Sequence, residues 1–443
     1  MENQQNYMFL ALALIIGLAG GFVLSGPISY NSKISTLESR VAELEAEIEQ
    51  LKTPELTVET VYIGFLAPMT GPTAYCGDMN YRGVKIAVDE INEMGGIQSL
   101  GGAKIEIIQY DAGASSAECT AAFNRMIATG KPISAIFLPW PSGYVVATSE
   151  LAEREKIPLM HTAWTEGPHE RGFEYLFRNT VNSTHMNNAM FDTILGAVAE
   201  GLGRPLEKIA FVYSDNPATL GLIATWREVC EREGIELVVD EMYTPPLRDG
   251  TPVMLKCQAA EPDIYVTYTG GVTDEVLMWT AARDLGLDKK MAMFTYTGAN
   301  PILVEALGGL IEGVFSLTDW NMMETAASKR MVELYVNSDQ KYPGFDFVPK
   351  DTALAYGVVW TIKEALEISG DPDPIAVKDA LKDIDITEGP ATVLFNRVRY
   401  SKKGEHVDCF PFIFQWQGNY PNVWPETVYP KEWATSEMAW PIG

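Results

Sequence analysis

From Val61 onward, short apolar runs alternate with amphipathic stretches, and this pattern predicts repeated strand–helix units. Strands are predicted at 61–68, 104–111, 134–140, 158–162, 208–215, 235–243, 263–270 and 291–298. Helices are predicted around 84–91 and over 115–129, 143–155, 219–233, 252–260 and 273–285. Such repeats predict doubly wound parallel sheets with right-handed crossovers. The irregular spacing of the units argues against a barrel.

The chain before Val61 has a different pattern. Met8–Leu24 is uncharged and almost wholly apolar, and about 20 such residues cross a bilayer. We weigh a cleaved signal peptide against a retained anchor over residues 1–29. The next apolar residues are spaced alternately by three and four: Ile34, Leu37, Val41, Leu44, Ile48 and Leu51. This heptad seam predicts a short parallel, dimeric coiled-coil stalk over 30–53, which favours retention, and the alternative is one amphipathic helix lying on the folded domain.

Composition narrows the classes of partner. The 443 residues are 47% hydrophobic and carry a net charge of −26. The chain is therefore long enough for more than one core, and its charge repels nucleic acid. The five cysteines show no metal-ligand spacing. In an exported chain an odd number leaves at least one thiol unpaired. The sequence leaves open whether one internal disulfide forms.

Ligands of doubly wound sheets bind beyond the carboxyl ends of the strands. Here those ends are rich in Ser, Thr, Gly, Tyr and Trp, a set suited to hydrogen bonding and stacking with a small ligand. The segments are Pro68–Gly77, Pro139–Tyr144, His161–Gly167, Asp215–Gly221, Thr269–Thr273 and Tyr296–Asn300.

Two of these regions carry a family resemblance. The stretch PMTGPTAYCGDMNYRGVKIAVDEINEMGGI at 68–97 and the stretch IPLMHTAWTEGPHERGFEYLFRNT at 157–180 resemble signatures of the leucine/isoleucine/valine-type solute-binding proteins. The resemblance implies a type I periplasmic-binding-protein fold, an α/β architecture of two Rossmann-like lobes. It implies three crossovers, near Thr180–Thr184, Gly313–Leu317 and Phe395–Tyr400. The first lobe would comprise 57–182 plus 314–396, and the second 183–313 plus 397–443.

The resemblance also implies a ligand site between the lobes. Ser142 matches a serine that binds the ligand carboxylate, at a helix start that favours an anion, although it is also a candidate N-cap. Ala163 and Thr165 match the family's A-x-T, and Phe347 loosely matches a pocket aromatic. All the residues that we expect to bind ligand are Tyr75, Trp140, Ser142, Gly143, Ala163, Trp164, Thr165, Asp215, Gly270, Tyr296, Thr297 and Phe347.

The second lobe departs from the family pattern. Leu220–Gly221 stands where the family has a tyrosine, and Thr297 or Gly298 stands where it has the glutamate that binds the ligand ammonium. A buried ammonium without a carboxylate is strongly unfavourable. The expected ligands therefore include related carboxylates and amides besides amino acids. The candidate replacement anions are Asp215, Glu166 and Asp274.

The function implied is that of an extracytoplasmic receptor that delivers a small molecule to the permease and ATPase complex of an ABC importer. The N-terminal helix would anchor it to the outer face of the cell membrane, with a homodimer formed through 34–51. The alternative is a sensory ectodomain of the same fold that signals through a partner membrane protein. An enzyme is disfavoured because no nucleophile elbow, zinc-protease motif or P-loop is present. We predict no cofactor and no metal.

Overall fold

The computed structural model describes residues 39–44, 58–215, 217–269, 271–287, 292–295 and 299–439. The chain forms two compact units, Met1–Leu56 and Thr57–Gly443. In the first unit residues 39–44 are helical, and the seam residues Val41 and Leu44 are 42% and 37% exposed. The apolar segment 8–24 and the rest of the predicted stalk lie outside the described residues. Among the described residues, no helix has the length and apolarity needed to cross a membrane.

The second unit begins with a five-stranded parallel sheet, which we call the first sheet. Its strands run in the order β2-β1-β3-β4-β5. They are β1 (Thr60–Ala67), β2 (Lys104–Asp111), β3 (Ile133–Leu138), β4 (Leu159–His161) and β5 (Leu176–Arg178). Apolar side chains fill β3 completely, as expected for a strand buried on both faces.

A seven-stranded second sheet follows in the order β14-β13-β10-β9-β8-β6-β7. Its parallel strands are β6 (Lys208–Ser214), β7 (Glu236–Tyr243), β8 (Ile264–Tyr268), β9 (Ala292–Thr295) and β10 (Phe315–Thr318). An antiparallel hairpin of β13 (Phe412–Asn419) and β14 (Asn422–Tyr429) extends it beyond β10. A small separate ladder joins β11 (Asp385–Ile386) to β12 (Val398–Arg399).

Helices cover both faces of the sheets. In chain order they are α1 (Ala74–Glu93), α2 (Ser116–Ile127), α3 (Ser142–Glu155), α4 (Ser183–Thr193), α5 (Ala199–Leu202), α6 (Pro217–Glu233), α7 (Thr251–Ala260), α8 (Val272–Asp284), α9 (Pro301–Leu307), α10 (Ala326–Asn337), α11 (Lys350–Ser369) and α12 (Pro374–Asp383). In the described part of the chain, four apolar clusters result, two for each sheet. The predicted strand and helix order is therefore confirmed, with two doubly wound sheets.

The chain passes between the sheets later than predicted at two of three places. The first passage, between β5 and α4, agrees with Thr180–Thr184. The second follows Thr318, because Phe315–Thr318 pairs with β9 and β13 of the second sheet. Gly313–Leu317 was therefore too early, and β10 does not belong with the first lobe.

The third passage lies just before Phe412. Val398 and Tyr400 share the apolar cluster of the first sheet, and Glu405 bridges to Arg178 at the end of β5. The boundary predicted near Phe395–Tyr400 was therefore also too early, and the segment from 397 to 411 packs with the first sheet rather than with the second lobe.

No disulfide joins the five cysteines, all of which lie in the described residues. Cys76, Cys119, Cys230 and Cys257 are buried in four different helices, and Cys409 precedes β13. The internal disulfide left open by the sequence is therefore not formed.

Candidate functional site

Three aromatic residues stand at the carboxyl edge of the first sheet. Tyr75 lies in the first turn of α1, Trp140 follows β3, and Trp164 follows β4. The rings of Tyr75 and Trp140 are 5.4 Å apart between centroids. Tyr75 and Trp164 also pack against apolar clusters of the second sheet. These residues therefore reach from one sheet towards the other, as a cleft between two lobes requires.

Two of the predicted carboxylate-binding residues offer hydroxyl groups. Ser142 is the first residue of α3, and the N-cap position belongs to Pro141, which makes no side-chain cap. Ser142 is therefore not the N-cap that the sequence left open. Within the described part of the chain, the Ser142 and Thr165 hydroxyls make no hydrogen bond. Both side chains are half-buried, and each follows one of two adjacent parallel strands.

Gly143 follows Ser142 in the chain, and Ala163 stands two residues before Thr165. A Cβ on Gly143 would come within 3.2 Å of Ser116 Oγ, so the position is tight. Ala163 is buried, and its N–H donates to His161 Nδ1 at 3.2 Å. Its backbone amide is thus already bonded within the loop.

Buried carboxylates hold both tryptophans by their indole groups. Trp140 Nε1 donates to Asp351 Oδ1 at 2.8 Å, and Trp164 Nε1 donates to Asp319 Oδ2 at 2.8 Å. Asp319 directly follows β10 of the second sheet, whereas Asp351 lies in the first turn of α11. Thr180, in the first passage, also donates to Asp319, at 3.0 Å. The network therefore ties two passages between the sheets to the carboxyl edge of the first sheet.

Lys350 lies between these two carboxylates. Its Nζ is 2.7 Å from Asp319 Oδ1 and 3.8 Å from Asp351 Oδ1, and 5.5 Å from the Trp164 ring centroid. Burial lowers the pKa of Lys350, but Asp319 and Asp351 together raise it above its ordinary value. Burial raises the pKa of Asp351, and Asp319 adds to this while Lys350 opposes it. Lys350 is therefore a charged ammonium inside the protein.

The loop after β4 is positioned by a buried arginine. Arg178 Nη1 donates to the carbonyl oxygens of Trp164 at 3.0 Å and Thr165 at 3.1 Å, and Arg178 Nη2 pairs with Glu405. Ser183 adds two hydrogen bonds to the Trp164 carbonyl, each 3.1 Å long. The backbone that carries Trp164 and Thr165 is therefore fixed from both sides.

The proposed replacement anions are mostly occupied. Glu166 accepts from the backbone and hydroxyl of Thr184, each at 2.9 Å, and Asp274 accepts from Tyr243 and Leu247. Asp215 is exposed directly after β6, and its carboxylate has no hydrogen bond or ion pair with the described residues.

Phe347 is buried in an aromatic cluster rather than lining an open surface. Its ring is 5.2 Å from Trp416 and 5.5 Å from Phe345 between centroids. Tyr75 packs against the larger apolar cluster to which Phe347 belongs. The candidates Gly270, Tyr296 and Thr297 lie outside the described residues.

Sequence reasoning missed Asp319, Lys350, Asp351 and Glu275. Glu275 is fully buried in α8 and accepts from Thr267, Thr269 and Trp279. Burial raises its pKa although these donors lower it. One signal was present: α11 is an apolar, almost wholly buried helix that begins with two adjacent charged residues. Among the described residues, no group of three His, Cys, Asp or Glu side chains is arranged to hold a metal ion.

Comparison with known proteins decides the family. The family model described as "Periplasmic binding protein" matches residues 60–420. The chain belongs to this family. Its resemblance to the branched-chain amino-acid type is confirmed by Leu/Ile/Val-binding protein homolog 8 of Brucella melitensis, which is 27% identical over 83% of this chain and 91% of the relative. Homolog 7 of Brucella abortus is 26% identical over 86% and 94%.

Solved structures of low identity share the fold. The branched-chain amino acid transporter substrate binding protein LivJ of Streptococcus pneumoniae, in complex with isoleucine, has a TM-score of 0.70 and 21% identity, covering 84% of this chain and all of that one. A solute binding protein of an ABC transporter from Rhodopseudomonas palustris, in complex with 3,4-dihydroxybenzoic acid, has a TM-score of 0.67 and 18% identity, covering 83% and 96%. Relatives of this periplasmic binding protein are thus solute-binding proteins, and the family implies an extracytoplasmic location.

Proposed function

We propose that this periplasmic binding protein is the receptor of an ABC importer and binds an amino acid or a related small carboxylate or amide between its two sheets. The observation that carries the proposal is the pair of hydroxyls of Ser142 and Thr165, which make no hydrogen bond with the described residues and lie at one edge of adjacent strands. Aromatic rings of Tyr75 and Trp164 extend from this edge to the second sheet. A ligand that contacts both sides would favour the closed form.

The relatives support this reading of the ligand. One structural neighbour is solved with isoleucine and another with 3,4-dihydroxybenzoic acid. Both molecules carry a carboxylate, and the start of the 14-residue helix α3 beside Ser142 favours an anion.

A thermal-shift screen over amino acids, carboxylates and amides tests the proposal. A true ligand is expected to raise the melting temperature of the wild type, because binding to the folded state alone stabilises it. The double variant Ser142→Ala, Thr165→Ala should lose most of this rise, since neither hydroxyl supports the fold. Ser115→Ala is the matched control: it removes the N-cap of α2, which bonds Glu118 N–H. The control should cost about 1 kcal/mol of stability but leave the ligand-induced rise unchanged. An unchanged rise in the double variant would contradict the assignment.

We further propose that residues 8–24 anchor the protein in the membrane and that 34–51 pair it with a second copy. The support is the sequence pattern, together with the helical conformation of 39–44, where Val41 and Leu44 are exposed. Unpaired seam residues of this kind are buried when two such helices meet.

A further inference from the structure

A buried cation, Lys350, shares its two carboxylate partners with Trp140 and Trp164. Lys350 is 6% exposed, and its Nζ lies beside Asp319 and Asp351, which are 0% and 5% exposed. These are the two carboxylates that hold Trp164 and Trp140. A buried carboxylate needs a counter-charge and hydrogen-bond donors. Lys350 supplies one positive charge, closer to Asp319 than to Asp351, and the two indole groups supply hydrogen-bond donors.

Three other carboxylates at the edges of the sheets accept hydrogen bonds from within the chain. Glu275 accepts from two threonines and one tryptophan, Asp274 from Tyr243 and Leu247, and Glu166 from Thr184. Of these candidate anions only Asp215 lacks a side-chain partner in the described part of the chain, and it is exposed. The edge residues outside that part carry no carboxylate, being Asn216, Gly270, Tyr296, Thr297 and Gly298.

Hydroxyl donors, by contrast, remain available on the side of the first sheet. Ser142 and Thr165 make no hydrogen bond with the described residues. Thr162, in the same loop as Thr165, is 1% exposed and its hydroxyl has no partner there either. The cleft thus offers groups that hold an anion, whereas its buried acids are already engaged.

We propose that the ligand is a carboxylate without a charged amino group, because the buried acids of the described residues are already engaged within the chain whereas hydroxyl donors remain available. The inference rests on the proposed receptor function and narrows its ligand class. Among the residues that the structure describes, an ammonium that enters between the sheets meets no buried acid that lacks a partner. A buried charge without a partner is strongly unfavourable.

Matched ligand pairs test the inference on the wild-type protein. Isothermal titration calorimetry would compare leucine with 4-methylpentanoate and phenylalanine with 3-phenylpropanoate, since the members of each pair differ only in the amino group. We expect the acid of at least one pair to bind about 100-fold or more tightly than its amino acid. An amino acid that binds as tightly as its matched acid would overturn the inference and leave the receptor function standing. If the folded protein bound neither pair nor any carboxylate or amino acid of the thermal-shift screen, the receptor function itself would fail, and the inference with it.

A lysine variant tests the role of the internal cation directly. Lys350→Met leaves Asp319 and Asp351 without their counter-charge, so millimolar ethylammonium should raise the melting temperature of the variant but not of the wild type. Leucine should also gain affinity relative to 4-methylpentanoate. Lys363→Met is the matched control, because Lys363 lies on the same helix, 5.6 Å from the Trp360 ring, and pairs with Glu364 and Glu367. A folded Lys350→Met protein whose melting temperature does not rise with ethylammonium would overturn this role. If that variant does not fold, the ligand pairs on the wild type decide the question.

Discussion

Two buried histidines connect the ligand loop to a distant part of the chain. His169 Nδ1 is 2.7 Å from the carbonyl oxygen of Lys403, so this nitrogen carries the hydrogen. His161 Nδ1 accepts from Ala163 N–H, so its hydrogen lies on Nε2, which is 2.9 Å from His169 Nε2. Both rings are therefore neutral, and this chain of hydrogen bonds ends at the backbone N–H of Ala163, between Thr162 and Trp164. Protonation of His161 at Nδ1 would break its bond to the loop.

Acid should therefore weaken the fold before its carboxylates titrate. Burial lowers the pKa of His161 well below its ordinary value and lowers those of His169 and His406 to about 4. In the unfolded chain these residues bind protons near pH 6.5, so the unfolded state gains protons first as the pH falls. The free energy of unfolding should drop by about 2 kcal/mol for each such histidine between pH 7.5 and 5. Urea unfolding at pH 7.5 and 5 measures the drop.

One variant separates this effect from general acid sensitivity. Both ring nitrogens of His406 are buried without a hydrogen bond to the described residues, and the ring packs 5.4 Å from Phe395 between centroids. His406→Phe should therefore keep the packing and make the drop smaller. His185→Gln, at an exposed position, should not change it. Equal pH dependence in wild type and His406→Phe would rule out this cause.

At the scale of elements, α1 and α11 make the closest helix contact of the first sheet. A Cβ at Gly83 would lie 2.0 Å from the carbonyl oxygen of Thr352, so the two backbones touch there. Glu90 reinforces the pair, because its carboxylate accepts from Tyr356 at 2.6 Å and Trp360 at 3.1 Å. Since α11 begins with Lys350 and Asp351, this contact also positions the internal cation.

Gly83→Ala should therefore lower the free energy of unfolding by about 1–3 kcal/mol, because the added methyl group forces α1 and α11 apart. Equilibrium urea unfolding gives the value. The control is Gly196→Ala, at an exposed helical position where a Cβ meets no atom within 4 Å. That change should be neutral or slightly stabilising. Equal losses in both variants would contradict the close-contact explanation.

The regular elements were predictable because their periodicity is local. The strand predicted at 104–111 matches β2 in full, and the helix predicted at 143–155 differs from α3 by one residue. The second and third passages between the sheets were not predictable from local patterns. Strand β10 is only four residues long, and its place in the second sheet depends on pairing with β13 far along the chain. The candidate site shows the same contrast between local and long-range features. Ser142 and Thr165 follow local motifs, whereas Lys350 acquires its role only through Asp319, on another element.

At the scale of the whole molecule, the stalk hypothesis predicts that chain length controls association. Residues 30–443 should dimerise weakly, because pairing through 34–51 buries the apolar seam, whereas residues 58–443 should stay monomeric. Analytical ultracentrifugation over a concentration series measures this. Leu44→Glu should abolish the association by placing a charge in the seam, while Glu43→Gln, at an exposed position beside it, should preserve it. A monomer at every concentration for the longer chain would contradict the hypothesis.

The antiparallel hairpin at the end of the chain has a consequence for the order of assembly. If the polypeptide is delivered from its amino end, the first sheet has all its strands once Arg178 has emerged, whereas β10 lacks one neighbour until Phe412–Asn419 arrives. An open strand edge readily pairs with other chains. During that interval Phe315–Thr318 has one unpaired strand edge. A nascent chain that stalls before Phe412 therefore exposes this edge to neighbouring chains.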